Sequence, residues 1–340
     1  MATFVFRPKS STGARELATA LGSRRLRYFE NRVFFRQNMA TGRRVPVTTG
    51  SQDVVVCWGA HAQNAQVRTL NNVPLRSKYD DAVLLRQAGV PTVEVSRTRP
   101  VSRPVAPPTD PAHALFQSAQ EMADDFSNLA FPGSMIPRTA PFTDGVSGLI
   151  RSLTAVQTAM RSPIPVPVAV DTTAWVGRMN NHVGGNDLLA PPSTPDFYVK
   201  KESLVREFRV HSFLGRSIRA GVKSLREGFA TSGTGGVHRA SDWVRSWDGG
   251  WRIVYDGVSA TQAQRDLAHA AVAALGLDFG AVDIGETSDG RFIVLEVNRA
   301  PGVEGGTVTN YVTAINRFVS GEWAAAMTRR ARRTAARRAA

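Results

Sequence analysis

Residues 280–298 constrain the fold more than any other stretch of this chain. They read as strand, turn, strand: Ala281-Val282-Asp283-Ile284-Gly285, then Ser288-Asp289-Gly290, then Phe292-Ile293-Val294-Leu295-Glu296-Val297-Asn298. Asp-Gly between two β-rich runs signals a tight hairpin. With Asp289-Gly290 as a two-residue turn, Ser288 faces Arg291 and, counting back, Asp283 faces Glu296. Side chains alternate along a strand. One face then carries Val282, Ile284, Ile293, Leu295 and Val297, and the other Asp283, Glu296 and Asn298. Opposed side chains lie roughly 4.5–5.5 Å apart at Cβ, so the two carboxylates repel unless a cation sits between them. Two carboxylates and an amide oxygen are hard ligands suited to Mg²⁺. The same face reads equally as a solvated sheet surface, where most strand carboxylates sit. A three-residue turn would shift the register and weaken the metal reading.

The 340 residues suit two lobes rather than one simple core. A hydrophobic content of 42% with 21% charged residues is ordinary for a soluble globular protein. No apolar run is long enough to span a membrane, and the first residues lack a signal-peptide layout. Cys57 is the single cysteine, which excludes an intrachain disulfide or a cysteine metal cluster and is compatible with the cytoplasm. The net charge is +14; Arg329, Arg330, Arg332, Arg333, Arg337 and Arg338 carry six of those charges, so the rest of the chain is still basic. Such a surplus implies a polyanionic partner, whether nucleotide, nucleic acid or acidic peptide.

Along the chain, residues 1–95 read as an α/β lobe. Strands are expected over 3–7, 31–37, 53–58 and 91–95, and helices over 13–21 and 78–88, the latter capped by Ser77. Strands alternating with helices predict a parallel, layered sheet. Residues 96–170 form a proline-rich linker or insertion with helix signals over 115–129 and 146–160. A second lobe covers 171–320. It has strands over 175–178, 196–201, 207–213 and 251–255, a glycine-containing loop over 180–187, and a helix over 261–275. Residues 321–340 are a basic tail. The fold class is α/β (α+β).

Glu296-Val297-Asn298-Arg299-Ala300-Pro301-Gly302, with Asp283 thirteen residues before Glu296, resembles the end of the ATP-grasp domain shared by carboxylate–amine ligases such as the ribosomal-protein glutamate ligase and D-alanine–D-alanine ligase. The resemblance implies an ATP-grasp fold behind a pre-ATP-grasp-like lobe, with Asp283, Glu296 and Asn298 as magnesium ligands. It also implies that Tyr198-Val199-Lys200-Lys201 is a hinge whose backbone meets adenine, and that Glu207 binds the ribose hydroxyls. Arg178, where the family usually has lysine, would precede a phosphate-covering loop at Gly184-Gly185. Lys78 would reach the phosphates from the first lobe, with Lys223 and Arg245 against the transferring phosphate and Arg209 as a further phosphate or substrate contact.

The implied reaction joins a carboxylate to an amine (an amino acid, peptide or protein) through an acyl phosphate, releasing ADP and phosphate. ATP and Mg²⁺ are the expected cofactors, with two ions anticipated and Mn²⁺ as a substitute. No Ser-His-Asp or Cys-His signature exists to suggest a protein nucleophile, and His211 is the histidine singled out for test. Two other readings stand beside this one. The basic tail suggests nucleic-acid binding, and a degenerate ATP-grasp fold could bind nucleotide without catalysis.

Overall fold

The computed structural model describes residues 1–100, 175–180, 194–231, 238–241 and 244–323. The helix signals over 115–129 and 146–160, Gly184, Gly185 and the arginine tail lie outside the described residues. Met1–Arg99 and Thr173–Ala340 make up one compact unit, to which the description below refers.

The first lobe is built on strands β1 (Thr3–Phe6), β2 (Arg25–Leu26), β6 (Val54–Cys57) and β7 (Arg68–Leu70), parallel in the order β2-β1-β6-β7. The β6 run Val-Val-Val-Cys is buried throughout, as expected for a parallel strand covered on both faces. Alternation sorts the two covers. Val5, Val54 and Val56 pack with Ala14 and Leu17 of helix α1 (Thr12–Ala20). Phe6, Val55 and Cys57 pack with Leu26 and Phe34. Phe34 belongs to an antiparallel sheet of β3 (Tyr28–Glu30), β4 (Val33–Gln37) and β5 (Arg44–Val47). The strand expected from residue 31 starts only at Val33, because Asn31 and Arg32 (φ 48° and 65°) form the tight turn between β3 and β4. Helix α2 (Lys78–Gln87) is capped by the Ser77 hydroxyl, which accepts from the Asp80 N–H at 3.1 Å. The strand expected over 91–95 shrinks to a single bridge at Thr92 and strand β8 (Val95–Ser96).

Strand β10 (Phe197–Lys200) lies between β8 and β9 (Trp175–Arg178). The larger sheet is antiparallel, in the order β15 (Trp251–Val254), β12 (Arg216–Leu225), β11 (Leu204–Phe213), β16 (Phe279–Thr287), β17 (Phe292–Asn298). A short pair, β13 (Phe229–Ala230) and β14 (His238–Arg239), lies outside it. Helix α3 (Gln262–Ala274) starts with a Thr261/Gln264 capping box and covers one face, where Ala268, Ala271 and Val272 meet Val210, Val282, Ile284, Val294 and Val297. Helix α4 (Gly306–Val319) sends Tyr311 and Ile315 into a core with Trp58, Phe213 and Phe279, so both lobes share it. The fold is α+β.

Two expectations about the 280–298 hairpin need correction. The turn has three residues, 288–290, between Thr287 and Arg291, whose backbones are bonded at 2.9 Å, and Gly290 adopts φ 81°. That shift is undone by a β-bulge: Ile284 pairs with Val294, yet Asp283 pairs with Glu296, leaving Leu295 as the extra residue. The core face therefore carries Val294 in place of Leu295 and Ile293.

Candidate functional site

The central strand β11 turns Glu207, Arg209 and His211 to one face, the usual consequence of period-two alternation. All three are polar, and Glu207 and His211 are 4% and 0% exposed. A buried charge must find a partner, and the neighbouring strands supply them. Arg209 pairs in register with Asp283 of β16, and Asp283 with Glu296 of β17. The Arg209 guanidinium donates to both Asp283 oxygens, Nε to Oδ1 at 2.6 Å and Nη2 to Oδ2 at 2.7 Å. Glu296 meets Lys78 Nζ at 2.7 Å, from the first turn of α2. Glu207 accepts from Lys223 Nζ of β12 at 2.7 Å and lies 3.6 Å from Arg245 Nε. Arg245 is held from behind by the Leu204 carbonyl at 2.7 Å.

The electrostatics follow from this geometry. Burial alone would raise the Asp283 carboxyl, but Arg209 overrides it and holds the group below the usual carboxylate range. Burial pulls the Arg209 guanidinium down, and Asp283 more than offsets it. Burial, with Arg209 alongside, pushes His211 down to about 3, so it is neutral at pH 7. Its Nδ1 is 3.2 Å from the Tyr311 hydroxyl and its Nε2 3.1 Å from the Tyr255 hydroxyl. A neutral imidazole has one donor and one acceptor, so one tyrosine donates and the other accepts. Burial raises both phenols above their ordinary value. Gly221, opposite Arg209, makes room for this network: a Cβ there would lie 2.8 Å from the Tyr255 ring.

Lys78 is placed by a second ion pair. Arg299, directly after Asn298, bonds Asp81 of α2 and donates to the Pro74 carbonyl at 2.8 Å. This ties the start of α2 to the end of β17, and with it Lys78 to Glu296.

Among the described residues, no group of three His, Cys, Asp or Glu side chains could hold a metal. The oxygen donors that come together are Asp283, Glu296 and, two residues along the same strand, Asn298. Their chemistry fits Mg²⁺, which takes hard oxygen ligands. The directly opposed carboxylates are the like-charge pair that a divalent ion would relieve; here Arg209 and Lys78 balance them.

The sequence-derived candidates divide into three groups. Asp283, Glu296, Arg209, Lys78, Glu207, Lys223 and Arg245 form three neighbouring sets of ion pairs, Lys78–Glu296, Arg209–Asp283 and Lys223–Glu207–Arg245, aligned by the register of β11, β16 and β17, with Asn298 two residues past Glu296. Tyr198, Val199, Lys200, Lys201 and Arg178 lie elsewhere, in and beside the β8-β10-β9 sheet. The free backbone edge expected of Tyr198 and Val199 is absent, since both have ladder partners on each side. The stretch between β10 and β11, residues 201–203, is the part outside the ladders. Lys200 Nζ pairs with Glu94 at 3.3 Å. Gly184 and Gly185 lie outside the described residues. Sequence reasoning missed Tyr255, Tyr311 and the Arg299–Asp81 pair, whose partners come from distant parts of the chain.

No family model matches this chain, and no curated protein sequence matches it. Solved structures do resemble it. D-alanyl-alanine synthetase A from Vibrio cholerae is 10% identical over 94% of this chain and 97% of its own, with a TM-score of 0.46. D-cycloserine synthetase DcsG is 16% identical over 94% of this chain and 100% of its own, with a TM-score of 0.43. The ATP-grasp ligase PsnB, complexed with a minimal precursor, Mg and ADP, is 12% identical over 94% of this chain and 98% of its own, also at 0.43. Each TM-score is below one half, so the functional reading rests on the site's own side chains.

Proposed function

We propose that this chain is an ATP-dependent carboxylate–amine ligase of the ATP-grasp type. The observation that carries the reading is the row Arg209–Asp283–Glu296–Lys78, which runs across three strands and onto a helix start. Four cations (Lys78, Arg209, Lys223, Arg245) face three carboxylates (Glu207, Asp283, Glu296) in that strip. A partly buried site with surplus positive charge and an opposed carboxylate pair suits a nucleotide polyphosphate together with its metal.

In this reading Asp283, Glu296 and Asn298 hold Mg²⁺; two ions, or Mn²⁺ in their place, fit the same oxygen chemistry. Bound metal offsets charge on the phosphate oxygens. Lys78 exchanges Glu296 for phosphate, and Lys223 and Arg245 hold the transferring group in line. Glu207, Lys201 in the stretch outside the ladders, Arg178 and the loop at Gly184-Gly185 complete nucleotide binding. A substrate carboxylate oxygen bonds the γ-phosphorus as ADP leaves, giving an acyl phosphate. An amine nitrogen then bonds the acyl carbon as phosphate leaves, and the amine's proton passes to phosphate or solvent. Orientation and fixed charge supply the rate. The division into a lobe over 1–95, an insertion over 96–170, a catalytic domain over 171–320 and a tail belongs to this reading. So does a cytoplasmic location; among the described residues no helix is long and apolar enough to cross a membrane.

Incubation with ATP, Mg²⁺ and pools of amino acids and peptides tests the proposal. Release of ADP and phosphate should require both a carboxylate and an amine. Phosphate release that is indifferent to added carboxylate would sink it.

A further inference from the structure

Away from the strip of ion pairs, the first lobe gathers arginines that have no counter-charge among the described residues. Arg25 stands in register beside Val5, and Arg7 and Arg27 follow the carboxyl ends of β1 and β2. Arg7 Nη1 donates to the carbonyls of Trp58 and Gly59, at 2.9 and 3.2 Å, just past the end of β6. Arg25 Nη2 donates to the Lys9 carbonyl at 2.7 Å. Among the described residues none of Arg7, Arg15, Arg25 and Arg27 pairs with a carboxylate. The Nε atoms of Arg7, Arg25 and Arg27 are buried and lack a hydrogen-bond partner among the described residues. Burial lowers the Arg25 guanidinium, and Arg27, Arg15 and Arg7 lower it further. Partly buried cations that repel one another weaken a fold, and an anion held by their remaining guanidinium nitrogens relieves the repulsion. Guanidinium forks match carboxylate or phosphate oxygens.

The cluster also has a defined place. The carboxyl ends of parallel strands are where open α/β sheets bind ligands. A Cβ on Gly59 would collide with both the Arg7 guanidinium and Ala300. A Cβ on Gly13, in the first turn of α1, would lie 3.1 Å from Val303 and 3.5 Å from the Pro301 carbonyl. Arg7, through Gly59, therefore adjoins the short segment that leaves Asn298.

We propose that Arg7, Arg25 and Arg27 form an anion subsite for a second carboxylate or phosphate group on the substrate, apart from the carboxylate that reacts. That an anion binds follows from the cluster itself; that it belongs to the substrate rests on the ligase reading above.

The test uses the full chain at low ionic strength without ATP or Mg²⁺. Thermal unfolding is followed with inorganic phosphate or glutarate against chloride at matched ionic strength. At ten times its dissociation constant, a bound anion should raise Tm by about 2 °C. The rise should vanish in Arg25→Gln and in Arg27→Gln and persist in Lys78→Gln. A larger effect of phosphate identifies a phosphorylated substrate, and of glutarate one with an extra carboxylate. Arg27→Gln keeps the test sharp if Arg25→Gln, which loses its bond to Lys9, fails to fold. No rise beyond chloride, or a rise that survives both arginine variants, overturns the subsite. Because nucleotide is absent, this outcome is separate from failure of the ligase reading, which Mg²⁺–ATP binding would reveal.

Discussion

Arg209 grips Asp283 with two nitrogens, at 2.6 and 2.7 Å, across adjacent strands and largely out of water. Removing one member of such a pair strands the other. Asp283→Asn or Arg209→Met should each cost about 3–5 kcal/mol in urea unfolding. The joint replacement Arg209→Met with Asp283→Leu should recover most of that loss, because a buried ion pair is worth little against apolar packing. Independent, additive losses in the double variant would show that the two residues are not coupled as the geometry indicates.

Asp283 also sets an acid limit. Its folded-state carboxyl lies below the ordinary carboxylate value, so the stability it confers is present above that ordinary value and is lost as pH falls through the folded one. The stability gap between wild type and Asp283→Asn should therefore hold from pH 7 to about 5 and close below about pH 4. A gap that stays constant down to pH 2 would contradict the pairing.

His211 titrates in another window. Its folded value of about 3 lies below the ordinary histidine value of 6.5, so the unfolded chain binds the extra proton. Stability rises with pH wherever the unfolded state binds more protons. Between about pH 6 and 4 this residue should remove about 1.4 kcal/mol of unfolding free energy per unit of acidification. His211→Gln should flatten that slope by one proton while adding a fixed cost at pH 7. An unchanged slope would mean that His211 is protonated between its two tyrosines.

Lys78 and Glu296 are each about a quarter exposed, at 28% and 27% of their side chains. A pair so wet contributes at most about 1 kcal/mol, so Lys78→Met should leave urea stability nearly unchanged. The same variant should lower ADP release by roughly 10²-fold or more, the scale expected when a charged contact to the transferring group is lost. A large stability loss with intact turnover would reverse the assignment, making Lys78 structural.

Local signals carried much of this site, and long-range ones did not. Alternation along Glu207-Phe208-Arg209-Val210-His211 was enough to place three polar groups on one face. The apolar run at β6 and the Ser77 cap of α2 were equally legible. The opposition of Asp283 and Glu296 was anticipated by a count that is wrong twice. The turn is one residue longer than supposed, and the bulge at Leu295 takes that residue back. Gly290 signals a left-handed turn position, but nothing local marks a bulge. Strand β12 follows a turn in which Leu214 adopts φ 45°, a conformation a leucine does not advertise. The ladder around Tyr198 depends on Ser96, about a hundred residues earlier, and periodicity carries no record of such a partner. The Arg299–Asp81 pair, which fixes Lys78, is hidden for the same reason.

Calorimetric titration of Mg²⁺–ATP into wild type and Glu296→Gln tests the metal site most directly. The account predicts measurable, Mg²⁺-dependent binding by wild type and at least roughly tenfold weaker binding by Glu296→Gln, a loss of about 1.4 kcal/mol or more, in a variant that remains folded. Equal Mg²⁺–ATP affinity in the two proteins would contradict it.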